Sequence, residues 1–319
     1  MTSFSSKAVV VVKWGGGLIT DKRCLCTPNL DIIAMLAQTI VECHKKQINV
    51  ILVHGAGSYG HLRCKTWRVN EGDVPSFEYS DEECSSQFDA VKMVQQDLLE
   101  LNKHVADELS RAGIANITYS PHLWARGLGP TFEGDLTPIK QDCEQGKVVI
   151  THGDVVPVDG DMKFGILSGD DLVVRLCLEI PNVKRLVFAI GGVDGLLKHP
   201  PKHGKRNQNE HAGPLTTEHI DDGDALIKEW SSDVNFHGTH DTSIDVTGGI
   251  GLKASRGAFV AEQAAADNRS LEVLLVNGQR SDRVIGASLG LAVRGTRIVP
   301  SPSSARPSCM CVVNGVPST

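Results

Sequence analysis

The segment His54-Gly55-Ala56-Gly57-Ser58-Tyr59-Gly60-His61 most constrains how this chain can fold. It follows an apolar run, residues 50–53, that reads as a buried strand. Three glycines within six residues free the backbone for turns that side chains forbid. The residues after it, as far as Trp67, are expected to start a helix. A strand that runs into a glycine turn and a helix N-terminus aims backbone N–H groups at an anion. His61 adds a donor that can carry charge near neutral pH. Further glycine turns follow apolar strands near positions 15, 153, 191 and 248. In a mostly parallel sheet such turns gather at the carboxyl edge, where ligands bind.

Residues 8–13, with four consecutive valines, read as a first buried strand. Lys13 ends that strand and faces Gly15, Gly16 and Gly17, a placement suited to phosphate. Thr20-Asp21-Lys22 closes the loop with a second cation. Thr27-Pro28 predicts a helix start, the helix ends near 47, and residues 48–53 form the second strand, giving a parallel βαβ unit. Residues 68–84 read as a polar loop or lid. Residues 88–109 form the longest amphipathic helix. Strands are expected at 114–119, 147–151, 185–190, 271–276 and 296–299, and a β-hairpin across 155–167. Helices are expected at 135–145 and 282–289, with weaker helical character at 215–230. Ser168 caps a helix that opens with Asp170 and Asp171, acids that suit its dipole. A helix at 251–267 carries Lys253 in its first turn, where a cation opposes the dipole unless a phosphate neutralises it. Residues 198–213 read as a surface insertion and 300–319 as a flexible tail. The whole is one domain, residues 1–299.

The net charge is −6, which excludes a general nucleic-acid or acidic-membrane surface, so any phosphate must be held by local charges. No apolar run approaches the roughly 20 residues of a membrane span, and residues 1–7 lack a signal-peptide core. Nine scattered cysteines favour reduced thiols and a cytoplasmic location. Cys24/Cys26 and Cys309/Cys311 read as adjacent thiols, and no metal site is expected. Lys13, Lys22, Lys253 and His61 all fall beside glycine turns, which points to a polyphosphate site. No P-loop and no protein-kinase motif set occurs. Two rivals stay open. Ala56-Gly57-Ser58-Tyr59-Gly60 resembles a nucleophile elbow, as does Gly286-Ala287-Ser288-Leu289-Gly290, which suggests a serine hydrolase. A non-catalytic oxyanion binder is the other.

The ordered set Lys-x-Gly-Gly, His-Gly-x-Gly, Ser-Gly-Asp-Asp and Asp-Val-Thr-Gly-Gly resembles the amino acid kinase superfamily. Thr20-Asp21-Lys22, His61 after Tyr59-Gly60, His152-Gly153-Asp154 and residues 244–249 resemble its isopentenyl phosphate kinase branch. The resemblance implies a three-layer α/β/α sandwich around a mostly parallel central sheet. It also implies a homodimer, with residues 1–165 on the acceptor side and 166–299 on the nucleotide side. Mg-ATP, its Mg2+ held mainly by the nucleotide phosphates, would phosphorylate isopentenyl phosphate in line. Lys13, Gly15, Gly16 and Gly17 would contact ATP phosphates, Gly57 the ATP side, and Gly249 and Lys253 the nucleotide. Lys22 would bridge toward the transferring group, and Asp170 would hold the catalytic lysines. Ala56, Gly60, His61 and Gly153 would bind the acceptor, with Phe88 and Val91 walling its isoprenoid tail. Gly17 stands where many members have serine, Ala56 where many have glycine and Gly251 where some have lysine. A relative acting on a phosphonate or a carboxylate is the alternative within the superfamily.

Overall fold

The valines of β1 (Val9–Trp14) are buried on both faces, as only a central strand covered from both sides allows. The computed structural model describes residues 7–21, 23–199, 225–236 and 249–302. The other strands are β2 (Asn49–His54), β3 (Asn116–Thr118), β4 (Ala125–Arg126), β5 (Glu133–Gly134), β6 (Val148–His152), β7 (Asp154–Pro157), β8 (Phe164–Leu167), β9 (Val183–Ile190), β10 (Glu229–Trp230), β11 (Glu272–Asn277) and β12 (Thr296–Ile298). The helices are α1 (Gly16–Ile19), α2 (Leu30–Lys45), α3 (His61–Thr66), α4 (Gln87–Arg111), α5 (Thr137–Glu144), α6 (Gly169–Glu179), α7 (Gly249–Ala266) and α8 (Ser281–Leu289).

Eight strands form one sheet in the order β10-β12-β11-β9-β1-β2-β6-β3. All neighbours pair in parallel except β11 with β12. Alternate residues of a strand face opposite sides. Val9 and Val11 therefore join one core cluster with α5, α6 and α7. Val10 and Val12 join the other, with α2, α4 and α8. The expected mostly parallel α/β sandwich is what the chain forms. β7 and β8 make the expected antiparallel hairpin, which hangs from the end of β6 beside the carboxyl edge.

Several boundaries differ from expectation. α2 starts at Leu30, capped by the Asn29 side chain, which accepts the Ile32 N–H at 3.3 Å. Thr27 and Pro28 stay in the preceding loop because the Thr27 N–H is taken by the Ser58 hydroxyl at 3.1 Å and Pro28 bridges to Thr20. No helix covers residues 226–230. Leu226 pairs with Leu197, and Glu229–Trp230 adds an edge strand. Residues 215–224, most of the 198–213 insertion, 237–248 and the tail beyond 302 lie outside the described residues, as does Lys22.

Candidate active site

β1, β2, β6 and β9 end side by side, and backbone N–H groups just beyond them continue the ladder. Gly55 N–H donates to Trp14 O at 3.0 Å, Gly153 N–H to His54 O at 3.0 Å, and Gly15 N–H to Ala189 O at 3.0 Å. The turns after these strands therefore share one edge, over a cleft of about 620 Å³. The turn after β1 and the turn after β2 touch backbone to backbone. A Cβ on Gly16 would lie 2.4 Å from Gly57 N, and one on Gly55 would lie 2.5 Å from Gly16 N. Gly57 has φ +53 and faces the Thr20 hydroxyl. Only glycine meets both demands.

The period-2 rule that turns Val9 and Val11 toward α6 also turns Lys13 that way. Its ammonium lies 2.5 Å from Asp170 Oδ1. α7 starts two residues earlier than expected, so Lys253 lies one turn in; it is 3.3 Å from Asp170 Oδ2 and donates to Gly249 O at 3.0 Å. Ser168 fixes Asp170 in place, its hydroxyl accepting the Asp170 and Asp171 N–H groups at 3.1 Å each. Burial pushes Lys13 down to about 8; the nearby Asp170 carboxylate opposes this and Lys253 adds to it. Burial alone would raise Asp170, but the Lys13 and Lys253 ammoniums hold it below the usual carboxylate range. Two cations on one buried carboxylate leave a local excess of positive charge around Asp170, while Asp21, Asp31 and Asp154 line other parts of the cleft. Burying such a cluster is costly unless an anion completes it.

Beyond β2 the chain makes a 3-10 turn, Gly57–Tyr59, before α3 begins at His61. α3 is only six residues long, so the donors here are the turn and the His61 ring, not a helix dipole. Ala56 has φ −70, a region alanine occupies without strain, so the replacement of glycine there keeps its N–H in place. Lys13, Gly15, Gly16, Gly17, Ala56, Gly60, His61, Gly153, Asp170, Gly249 and Lys253 all line this one cleft.

Three expected residues do not. Gly57 is buried behind the turn against Thr20. Phe88 is 49% exposed at the outer end of α4, edge-on to Phe164, and Val91 is packed in the core. The apolar wall comes from later turns of α4, at Val94 and Leu98, with Cys64, Val155 and Ile166. Helical period gave the buried stripe of α4 but not how far along it the cleft lies. Cys64 follows His61 by three residues on α3, a spacing that places both on one face and that would have pointed to it. No residue of 68–84 lines the cleft. That segment is tied to α3 instead, with Glu83 2.6 Å from Arg63. Asp154, also missed, closes one wall and accepts from the His122 ring at 2.7 Å.

Both candidate nucleophile serines are 1% exposed. Ser58 braces the turn, its hydroxyl bonded to Thr27 and its N–H donating to the Thr20 hydroxyl at 2.9 Å. Ser288 sits within α8. Neither lines the cleft, which removes the hydrolase reading.

An open, mostly parallel sheet with glycine turns and two lysines joined on one buried aspartate at its carboxyl edge defines an α/β protein with a cationic site in its cleft. The sequence profile of the amino acid kinase family matches residues 8–264, and the chain belongs to that family. It is similar to the isopentenyl phosphate kinase of Methanothermobacter thermautotrophicus, 28% identical over 298 residues, covering 91% of this chain and 98% of the relative. It is also similar to that of Thermoplasma acidophilum, 26% identical over 86% of this chain and 94% of the relative. A solved isopentenyl phosphate kinase structure superposes with a TM-score of 0.66 at 24% identity, covering 91% of this chain and all of that one. Among the described residues no helix is long and apolar enough to cross a membrane.

Proposed function

We propose that this chain transfers the γ-phosphoryl group of ATP to isopentenyl phosphate, giving isopentenyl diphosphate and ADP. The observation that carries this reading is the convergence of Lys13, Lys253 and His61 on a cleft that also has an apolar recess. Two phosphates must meet end to end. Each pair of unit charges about 4 Å apart repels by about 4 kcal/mol at an effective dielectric near 20, so a site without cations cannot hold both. The excess positive charge around Asp170 meets that need on the nucleotide side, with Gly15, Gly16, Gly17 and Gly249. Ala56 N–H, Gly60, Gly153 and His61 receive the acceptor phosphate. Cys64, Val94, Leu98, Val155 and Ile166 take its hydrocarbon tail.

Asp170 holds the two ammonium groups, and the transfer runs in line, with charge neutralisation as the main catalytic effect. Lys22, by its place after β1, belongs to the same step. Mg2+ supplies further charge withdrawal when bound. Asp170 is engaged by two cations, and among the described residues no group of three or more His, Cys, Asp or Glu is placed to hold a metal. On this reading the ion would be held mainly by the nucleotide phosphates. The acceptor and nucleotide halves at 1–165 and 166–299, a homodimer and a cytoplasmic location belong to the same proposal.

A coupled ADP-release assay tests it. Isopentenyl phosphate should turn over, and fosfomycin and acetylglutamate should not. Turnover of either of those instead would favour the phosphonate or carboxylate reading. His61→Ala should raise KM for isopentenyl phosphate and lower kcat, with ATP affinity little changed. Unaltered kinetics would remove His61 from the acceptor site.

A further inference from the structure

Two histidines stand where β2 and β6 end, each followed by a cleft-lining glycine: His54-Gly55 and His152-Gly153. They are register partners across the sheet, and their rings stack with centroids 5.1 Å apart and 27° between planes. Both are fully buried, so neither is a ligand for substrate. Each ring turns its Nδ1 onto the carbonyl of the next residue, at 3.2 Å for Gly55 and 3.1 Å for Gly153.

We propose that His54 is a positioning residue that aims the Ala56 N–H into the cleft by holding the Gly55 carbonyl. The argument rests on the planarity of the peptide unit. In a trans peptide the C=O of one residue and the N–H of the next point in opposite directions. The Gly55 N–H is already committed to Trp14 O. With its carbonyl drawn down onto the buried ring, the Gly55–Ala56 peptide has one orientation left. Its N–H faces away from the core, on the side where Ala56 lines the cleft.

The tautomer follows from the partners. A carbonyl only accepts, so Nδ1 carries the proton. In the structure Asn102 turns its Oδ1 toward His54 Nε2 at 3.4 Å and donates its Nδ2–H to the Thr118 hydroxyl at 2.9 Å; with the proton on Nδ1 the amide must be turned over, so that its NH2 donates to Nε2 and its oxygen accepts from Thr118. Burial, with the neighbouring His152, pushes His54 down to about 3, so the ring stays neutral with a single N–H. His152 repeats the contact one strand over, beneath Gly153.

This inference rests on the acceptor-site reading above, and its test separates the two. Asparagine places its amide NH2 near the Nδ1 position, and glutamine reaches toward Nε2. KM for isopentenyl phosphate should rise about tenfold in His54→Leu and His54→Gln, the worth of one lost hydrogen bond. It should return to within about twofold of wild type in His54→Asn, with KM for ATP unchanged in all three. Equal rises for both substrates, or an asparagine variant as poor as the leucine one, overturn the proposal. Absence of isopentenyl phosphate turnover by the wild-type protein overturns the functional reading and this inference with it. In the wild-type protein, independent of variant folding, the Ala56 amide proton should shift downfield on saturation with isopentenyl phosphate, and a stationary resonance sinks the assignment.

Discussion

Lys13 was legible because a lysine closing a valine run needs a polar partner at the sheet edge, and it stays buried there at 4% exposure. Its pairing with Asp170, 157 positions away, came only from the family resemblance, since no local pattern links the two. That environment sets a pH dependence. In the free protein, burial holds the Lys13 ammonium down to about 8, so the cation is lost as the pH rises through that value. On the proposed reading, kcat/KM for ATP should fall above pH ~8, since this ratio follows ionisations of the free enzyme. A flat profile to pH 10 would show that Lys13 does not titrate in the cleft. At the same scale the apolar lining of the cleft was misplaced. Phe88 and Val91 obey the apolar period of α4, but period fixes a face and not a depth, and the cleft meets that helix at Val94 and Leu98.

Between elements, the first turn of α6 grips the start of α7 twice. Asp170 takes Lys253, and Asp171 takes Arg256 Nε at 2.7 Å. Lys253 and Arg256 are three apart on α7 and so share a face. The outer pair thus sets where the inner one can reach. Arg256→Met should raise KM for ATP severalfold and leave KM for isopentenyl phosphate unchanged. A double-mutant cycle with Asp171→Asn should return a coupling of about 1 kcal/mol. Additive effects would mean the two side chains act independently. The long elements were legible for the same reason that they are stable: α4, α6 and the four central strands each carry a buried period and clear ends. The short ones were not. β10 has two residues and takes its strand form only from β12 beside it, and α2 begins at Leu30, capped by Asn29, because Ser58 claims Thr27 from outside the segment.

For the molecule as a whole, the stacked His54 and His152 rings make acid a threat to folding. Burial lowers His152 as well, against the pull of Asp154. The unfolded chain protonates histidine near 6.5, while native His54 resists down to about 3. Between those values the unfolded state binds more protons, so stability rises with pH and is lost as the pH falls below about 6.5. One such proton contributes a slope of up to about 1.4 kcal/mol per pH unit. Urea unfolding at pH 7 and pH 5 should show this loss, and His54→Asn should reduce it. An unchanged loss in the variant would place the acid sensitivity elsewhere.

The glycine turns after β1 and β2 meet with no side chain between them. Neither can be retuned by itself, because a methyl group gained at Gly16 collides with the chain at Gly57. The close contact means that a guest displacing one turn should press on the other. On the proposed reading, a phosphate arriving in one half of the cleft should be felt in the other through bare main chain.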